Sequence, residues 1–332
     1  MKRIGESQSF FLYIKYQSFS YIWVMNIESQ RDIVSSFRHL ELLAHQVVEG
    51  FISGMHKSPF HGFSAEFSEH KVYNSGESTK HIDWKLFAKT DRLYTKQFEE
   101  ETNLRCHIII DNSSSMHYPV LKPNQLFYES KIGFSVLASA VLMNLLKKQR
   151  DAVGLSVFSD SYEYYAPEKG SDRHHRMIIN TLEGLLEKPK NSKSTDTITF
   201  LHQIAEKIHR RSMIILFTDM FQSGNEAALF SALQHLKHNK HKVVLFHVYD
   251  SKTELGFDFD STPRKFIDLE TGEEVAVFAN TVQEEYEKTM AAYYKKVALT
   301  CAQNRIQYVP VEVGENFEKI LLTYLVEKQN FG

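Results

Sequence analysis

Over residues 32–51 the apolar positions Ile33, Val34, Phe37, Leu40, Leu43, Ala44 and Val47 recur at helical spacing, which predicts an amphipathic helix. Gly54, Pro59 and Gly62 then break the period and read as loop. Between 66 and 101 the pattern is shorter-ranged. The group Asn74-Ser75-Gly76 signals a turn, "HIDWKLFAK" a short helix and the alternating "RLYTKQF" a strand, so this part reads as helix, hairpin and short helix. Beyond residue 103 apolar runs of strand length alternate with longer helical periods. Strands are expected over 104–110, 152–158, 213–218, 243–249 and 306–311. Helices are expected near 125–149, 172–187, 198–210, 225–239, 280–304 and 316–327. That alternation implies an α/β fold, a Rossmann-like doubly wound, mostly parallel sheet with helices on both faces, preceded by an N-terminal α+β extension. The unbroken apolarity of "CHIII" and "MIILF" suits strands buried on both sides. The run "IGFSVLASAVLMNLL" is apolar nearly all round, which suits a central helix buried against the sheet and is too short to span a membrane. No repeat of the solenoid kind occurs.

Composition narrows the classes. The chain has 332 residues, 42% hydrophobic and 24% charged, enough for a sizeable core in one large domain with an appended segment. A net charge of −2 argues against a nucleic-acid binder. Two cysteines, Cys106 and Cys301, make neither a disulfide framework nor a thiolate metal site, so a reducing, cytoplasmic setting is expected. The stretch "SFFLYIKYQSFSYIWVM" follows Lys2 and Arg3 and resembles a leader in composition. It is shorter than the ~20 apolar residues of a spanning helix, is interrupted by Lys15, Gln17, Ser18 and Ser20, and has no small-residue cleavage site. Residues 1–25 are therefore expected to be a non-structural leader or a mis-called start, 26–103 the extension, and 104–332 the α/β domain, with no membrane attachment.

In open sheets of this type ligands bind beyond the carboxyl ends of the strands. The first strand runs into Asp111-Asn112-Ser113-Ser114-Ser115, and "MIILFT" runs into Asp219. The polar loop "KNSKSTDT", with Thr195 and Thr197, leads into a helix. Hard divalent cations such as Mg²⁺ take oxygen ligands in near-octahedral geometry. The alternation D-x-S-x-S lets a turning loop aim Asp111, Ser113 and Ser115 inward, and neutral hydroxyls leave the ion positive enough to attract a partner's carboxylate. A turn with a helix cap explains Asp111 and the serines alone just as well. Asp111 or Ser113 could also be a nucleophile. Against that, the G-x-S-x-G elbow is missing and no motif supplies a lysine or histidine companion. Among 16 histidines, His235, His238 and His241 lie in "HLKHNKHK", which reads as a solvated helix end, and no H-E-x-x-H supports zinc hydrolysis. No P-loop and no strand-linked G-x-G-x-x-G occur, so the chain is not expected to bind ATP itself. Trp84 reads as a packing anchor or, if exposed, a partner contact.

"DNSSSM", the loop threonine and "FTDMF" together resemble the three loops of a metal-ion-dependent adhesion site in a von Willebrand factor A-type domain. "FSEHKVYNSGESTKHIDWKLFAKTDRLYTKQFEEE" resembles the segment that precedes such a domain in the bacterial DUF58 family. The resemblance covers roughly 32–312, and its combination of motifs is specific where a lone D-x-S-x-S is not. It implies that Asp111, Ser113 and Ser115 form the first metal loop, Thr195 (with Thr197 as alternate) the second and Asp219 the third. The ion would be Mg²⁺ or Mn²⁺, with one position left for a protein partner's acidic residue. It further implies a non-enzymatic protein-interaction module pairing with a MoxR-type AAA+ ATPase in assembly or maturation of client proteins. His70 and Lys71 stand where arginine is usual, Glu77-Ser78 replaces an Asp-Asp pair, and Lys80 replaces arginine, so bidentate arginine pairing is lost there. The alternatives are a metal-assisted phosphoester hydrolase using Asp111 and Asp219, and a metal-free scaffold.

Overall fold

In the computed structural model the described residues are 40–54, 64–73, 79, 82–101, 104–121, 125–159, 162–186, 197–220, 226–259, 263–267, 274–315, 317 and 320–321. The expected leader, the start of the first helix, the Asn74-Ser75-Gly76 turn and most of the helix expected at 316–327 lie outside them.

Helix α1 (Leu40–Gly54) is followed by an antiparallel pair, β1 (Ser64–Val72) and β2 (Tyr94–Glu101), with the short helix α2 (Trp84–Thr90) between the two strands. Asp83 starts α2 by accepting from the amides of Lys85 (3.0 Å) and Leu86 (3.1 Å), which satisfies two of the donors that a helix start leaves open. Asp91 ends it in the left-handed region at φ 53°. Trp84 is 63% exposed and meets the edge of Phe87, at 6.2 Å between ring centroids. The packing-anchor reading is thereby corrected, because α2 buries none of its residues and its first position projects into solvent.

The α/β part runs β3 (Arg105–Asp111), α3 (Lys131–Lys148), β4 (Ala152–Phe158), β5 (Tyr162–Lys169), α4 (Asp172–Gly184), α5 (Thr197–Lys207), β6 (Met213–Thr218), α6 (Glu226–His238) and β7 (Lys242–Tyr249). A small hairpin, β8 (Pro263–Ile267) and β9 (Glu274–Phe278), precedes the long helix α7 (Ala279–Gln303) and the last strand β10 (Gln307–Glu312). Six strands form one sheet in the order β10-β7-β6-β3-β4-β5, parallel throughout except where β5 joins β4. This is the doubly wound order, with its topological switch point between β3 and β6. The expected mostly parallel α/β fold is present. Neither β5 nor the β8–β9 hairpin was expected. β5 is an edge strand carrying Pro167, and Ala166 is the only buried residue among its described side chains, so it has no apolar run to reveal it.

Period-two alternation assigns the faces. Cys106, Ile108 and Ile110 of β3 join one core with α1, α3 and α4, while Ile109 joins the other with α5, α6 and α7. Helix α3 buries every residue from 131 to 146, as its all-round apolarity requires. Among the described residues no helix is long and apolar enough to cross a membrane.

The solvated reading of "HLKHNKHK" is corrected at two positions. His241 is buried, with its Nδ1 accepting from the Ser212 amide at 3.2 Å. His235 donates from Nε2 to Glu206 at 2.8 Å, which leaves its Nδ1 to accept from Nδ1 of His202 at 2.9 Å. Helix α6 lies against α5, which leaves His235 half-buried and its partner Glu206 exposed.

Candidate metal centre

Strand β3 carries its regular pairing through Asp111, opposite Phe158 of β4, one residue further than the sequence pattern indicates. The carboxylate is therefore held by the sheet itself, and it is buried. Its Oδ1 accepts from the Ser113 amide at 2.9 Å and its Oδ2 from the Thr218 hydroxyl at 2.8 Å. The chain then turns. Ser113 precedes a single 3₁₀ turn, Ser114–His117, whose Met116 is fully buried and anchors the loop. Asn112 ties the flank down by donating to Glu163 at 2.8 Å, and its Oδ1 lies 2.9 Å from Nε2 of His117. The outcome is that the Ser113 and Ser115 hydroxyl oxygens face each other at 3.0 Å.

Asp219 follows β6 and is also buried. Met220 beside it adopts φ 55°, an uncommon conformation for a side chain of its kind. Three side chains hold this turn. His247 donates from Nε2 to the Asp219 carbonyl at 3.0 Å, Tyr293 to the Met220 carbonyl at 2.6 Å, and Thr218 Oγ1 accepts from the Met220 amide at 3.1 Å. Such strain persists where its surroundings over-determine it, and it concentrates at functional sites.

The charged surroundings of Asp219 were not anticipated. Lys131, the first residue of α3 and wholly buried, donates to Asp219 Oδ2 at 2.9 Å and to Glu254. Glu254 lies on a single π-helical turn, Ser251–Leu255, directly after β7. Burial would lower the Lys131 ammonium, but Asp219 and Glu254 outweigh it, and the group is held above its ordinary value. Burial, together with the charge of Asp219, raises the Asp111 carboxyl to about 7. Burial also pushes His247 down to about 4, so its ring is neutral at physiological pH.

The sequence-predicted residues Asp111, Ser113, Ser115 and Asp219 thus meet at the carboxyl edge of β3 and β6, joined by Asp111–Thr218 hydrogen bonding. Thr195 lies outside the described residues, and its alternate Thr197 is the buried first residue of α5. Sequence reasoning missed Thr218, His247, Lys131 and Glu254. Thr218 stood next to Asp219 in "FTDM" and was legible as a hydroxyl at a strand end. Lys131 offered one faint signal, a charge at the head of a long apolar run.

The donor chemistry fits a hard divalent cation. Cis ligands around an ion at roughly 2.0–2.1 Å lie about 2.9–3.0 Å apart, which is the spacing of the two serine hydroxyls. Burial and the charge of Asp219 raise the proton affinity of Asp111, an effect that a divalent cation beside it would offset. Among the described residues no group of three His, Cys, Asp or Glu could hold a metal, so the hydroxyls are essential to such a set.

An α/β protein with this sheet and this oxygen-rich edge has a family. The chain belongs to the family described as protein of unknown function DUF58, whose pattern matches residues 69–297. An uncharacterized protein of Mycobacterium tuberculosis is 20% identical over 220 residues, and one of Mycobacterium bovis is equally similar. The match spans 66% of this chain and 66% of the length of those curated relatives. Among solved structures, the chain is similar to BatB from Bacteroides thetaiotaomicron, with 14% identity, a TM-score of 0.40 and coverage of 69% of this chain and 100% of that one. It is also similar to the VWA domain of SpRpn10, with 16% identity, a TM-score of 0.36 and coverage of 69% and 96%.

Proposed function

We propose that the carboxyl edge of the sheet is a divalent-metal-dependent docking site for another protein. The observation that carries the reading is the Ser113–Ser115 hydroxyl pair beside the buried Asp111 and Asp219 carboxylates at the topological switch point. Asp111, Ser113, Ser115 and Asp219, with Thr195 or Thr197 from the 190–197 loop, would hold Mg²⁺ or Mn²⁺, the aspartates directly or through water. When bound, the ion would supply a hard Lewis-acidic centre that accepts an acidic side chain from the partner. Asp111 is orientated for this by the Ser113 amide and the Thr218 hydroxyl, which fix both of its oxygens. His247 and Tyr293 keep the Asp219 turn rigid through its carbonyls.

The partner class in this reading is a MoxR-type AAA+ ATPase, acting with this chain on client proteins. A cytoplasmic setting belongs to the same proposal and is supported by two cysteines that are both buried free thiols. Binding, not turnover, is the favoured role. A hydrolase at this edge needs a general base, and the candidates are occupied: Lys131 is held protonated between two carboxylates, both nitrogens of His247 are engaged by the Asp219 carbonyl and the Tyr308 hydroxyl, and both Asp111 oxygens accept hydrogen bonds, from the Ser113 amide and the Thr218 hydroxyl.

A pull-down of the ATPase with immobilised protein, in Mn²⁺ and again in chelator, tests the proposal. Capture should disappear on chelation and in Asp111→Ala. Capture indifferent to both would overturn it, and Mg²⁺-dependent turnover of a phosphoester panel, lost in Asp111→Asn, would favour the hydrolase.

A further inference from the structure

Lys131 is in an expensive place. It opens helix α3, where the aligned peptide dipoles disfavour positive charge. Its side chain is wholly buried, and an ammonium in a protein interior must be paired. Helix propensity and packing alone would be better served by methionine or leucine. What holds the ammonium is anionic: Asp219 at 2.9 Å and Glu254, whose side chains are themselves 1% and 12% exposed.

Glu254 is built into position. Its Oε2 accepts from the Asp250 amide at 2.8 Å, and its carbonyl accepts from the Tyr286 hydroxyl at 3.0 Å. Asp250 caps the π-helical turn by accepting from the Thr253 amide at 3.3 Å. Gln283 fastens the segment's end by donating to the Gly256 carbonyl at 2.8 Å. The carboxylate therefore reaches Lys131 from a turn clamped on two sides by α7.

Among the described residues, Asp111, Asp219 and Glu254 against the one Lys131 ammonium carry, when all are ionised, an excess of two negative charges, which one divalent cation would balance. We propose that Lys131 is a resident cation that competes with the divalent ion for Asp219, and that Glu254 moderates the competition by drawing part of the ammonium's charge away. This rests on the metal-site reading above and adds residues to it that neither the metal-loop pattern nor the upstream motif contains. Lys131 and Glu254 act as positioning residues. They set how tightly the loops of Asp111 and Asp219 take the ion without touching it.

The two side chains have opposite signs, so their removal must act in opposite directions. Isothermal titration calorimetry with Mn²⁺ on the full chain should show Lys131→Met binding about tenfold tighter, and Glu254→Gln about tenfold weaker, than the unaltered protein. A purely structural role would weaken both or neither. Circular dichroism confirms that each variant is folded. If Lys131→Met folds only with metal present, that rescue itself supports the competition, and Glu254→Gln carries the affinity measurement. Mn²⁺ binding that is abolished by Asp111→Ala yet unchanged in Lys131→Met and Glu254→Gln overturns this inference and leaves the metal site standing. Absence of Asp111-dependent binding in every form overturns the metal site as well.

Discussion

One strand carries two buried polar clusters, and they are opposites. Near the start of β3, His107 is fully buried and both ring nitrogens are used, Nδ1 with Glu168 at 2.7 Å and Nε2 with the Ser156 hydroxyl at 2.7 Å. Burial alone would raise Glu168, but the His107 bond and charge outweigh it, and the carboxyl lies below its ordinary value. Gly154 makes room for the ring: a Cβ there would sit 2.6 Å from His107 Nδ1 and 2.8 Å from the Ala166 carbonyl. This cluster is complete, one ring with one carboxylate and one hydroxyl. Four residues on, at the carboxyl end, the second cluster has more acids than bases among the described residues, and its Asp111 carboxyl is raised to about 7. The first cluster is satisfied by its own members; the second carries the surplus of carboxylates on which the proposed metal site rests.

The comparison can be broken in several ways. Lys131→Ala leaves Asp219 and Glu254 buried without their shared cation, and should cost about 3–5 kcal/mol in denaturant unfolding without metal, part of it restored by Mn²⁺. His107→Leu strands Glu168 and should cost about 3 kcal/mol. Adding Glu168→Leu should recover most of that, and neither change should alter Mn²⁺ affinity, since both ring nitrogens of His107 are already engaged within the cluster. Gly154→Ala drives a methyl group into His107 and a strand carbonyl, at about 1–3 kcal/mol by thermal unfolding.

A gentler lever is pH. The folded-state value of Asp111, about 7, exceeds its ordinary 3.8, so the folded protein binds the proton more tightly than the unfolded chain. Metal-free stability should therefore fall as pH rises between about 4 and about 7. A metal must displace that proton, so Mn²⁺ affinity by calorimetry should climb about tenfold per pH unit below 7 and level off above it. A falling or flat profile across that window would count against Asp111 as a ligand. The smallest effect is expected in the N-terminal extension: Asp83→Ala removes the α2 cap at about 1 kcal/mol and leaves metal affinity untouched.

Much of the candidate site was legible because its information is local. Asp111, Ser113, Ser115 and Asp219 announce themselves by position, since the end of an apolar run marks a strand terminus and alternate residues after it share an orientation. His247 and Lys131 were not legible. Each sits inside or at the head of an apolar run, where a polar residue has no sequence partner to show what satisfies it. His107 likewise finds Glu168, 61 residues away, on an edge strand that apolar periodicity does not mark.

From its sequence alone the chain declares helical and strand periods, an α/β alternation and an oxygen-rich strand end, because these depend on residues within a few positions of one another. Only the tertiary structure brings Lys131 and Glu254, 123 residues apart, onto Asp219. Charge pairing acts through space and leaves no period along the chain, so the balance of the site is decided by the fold.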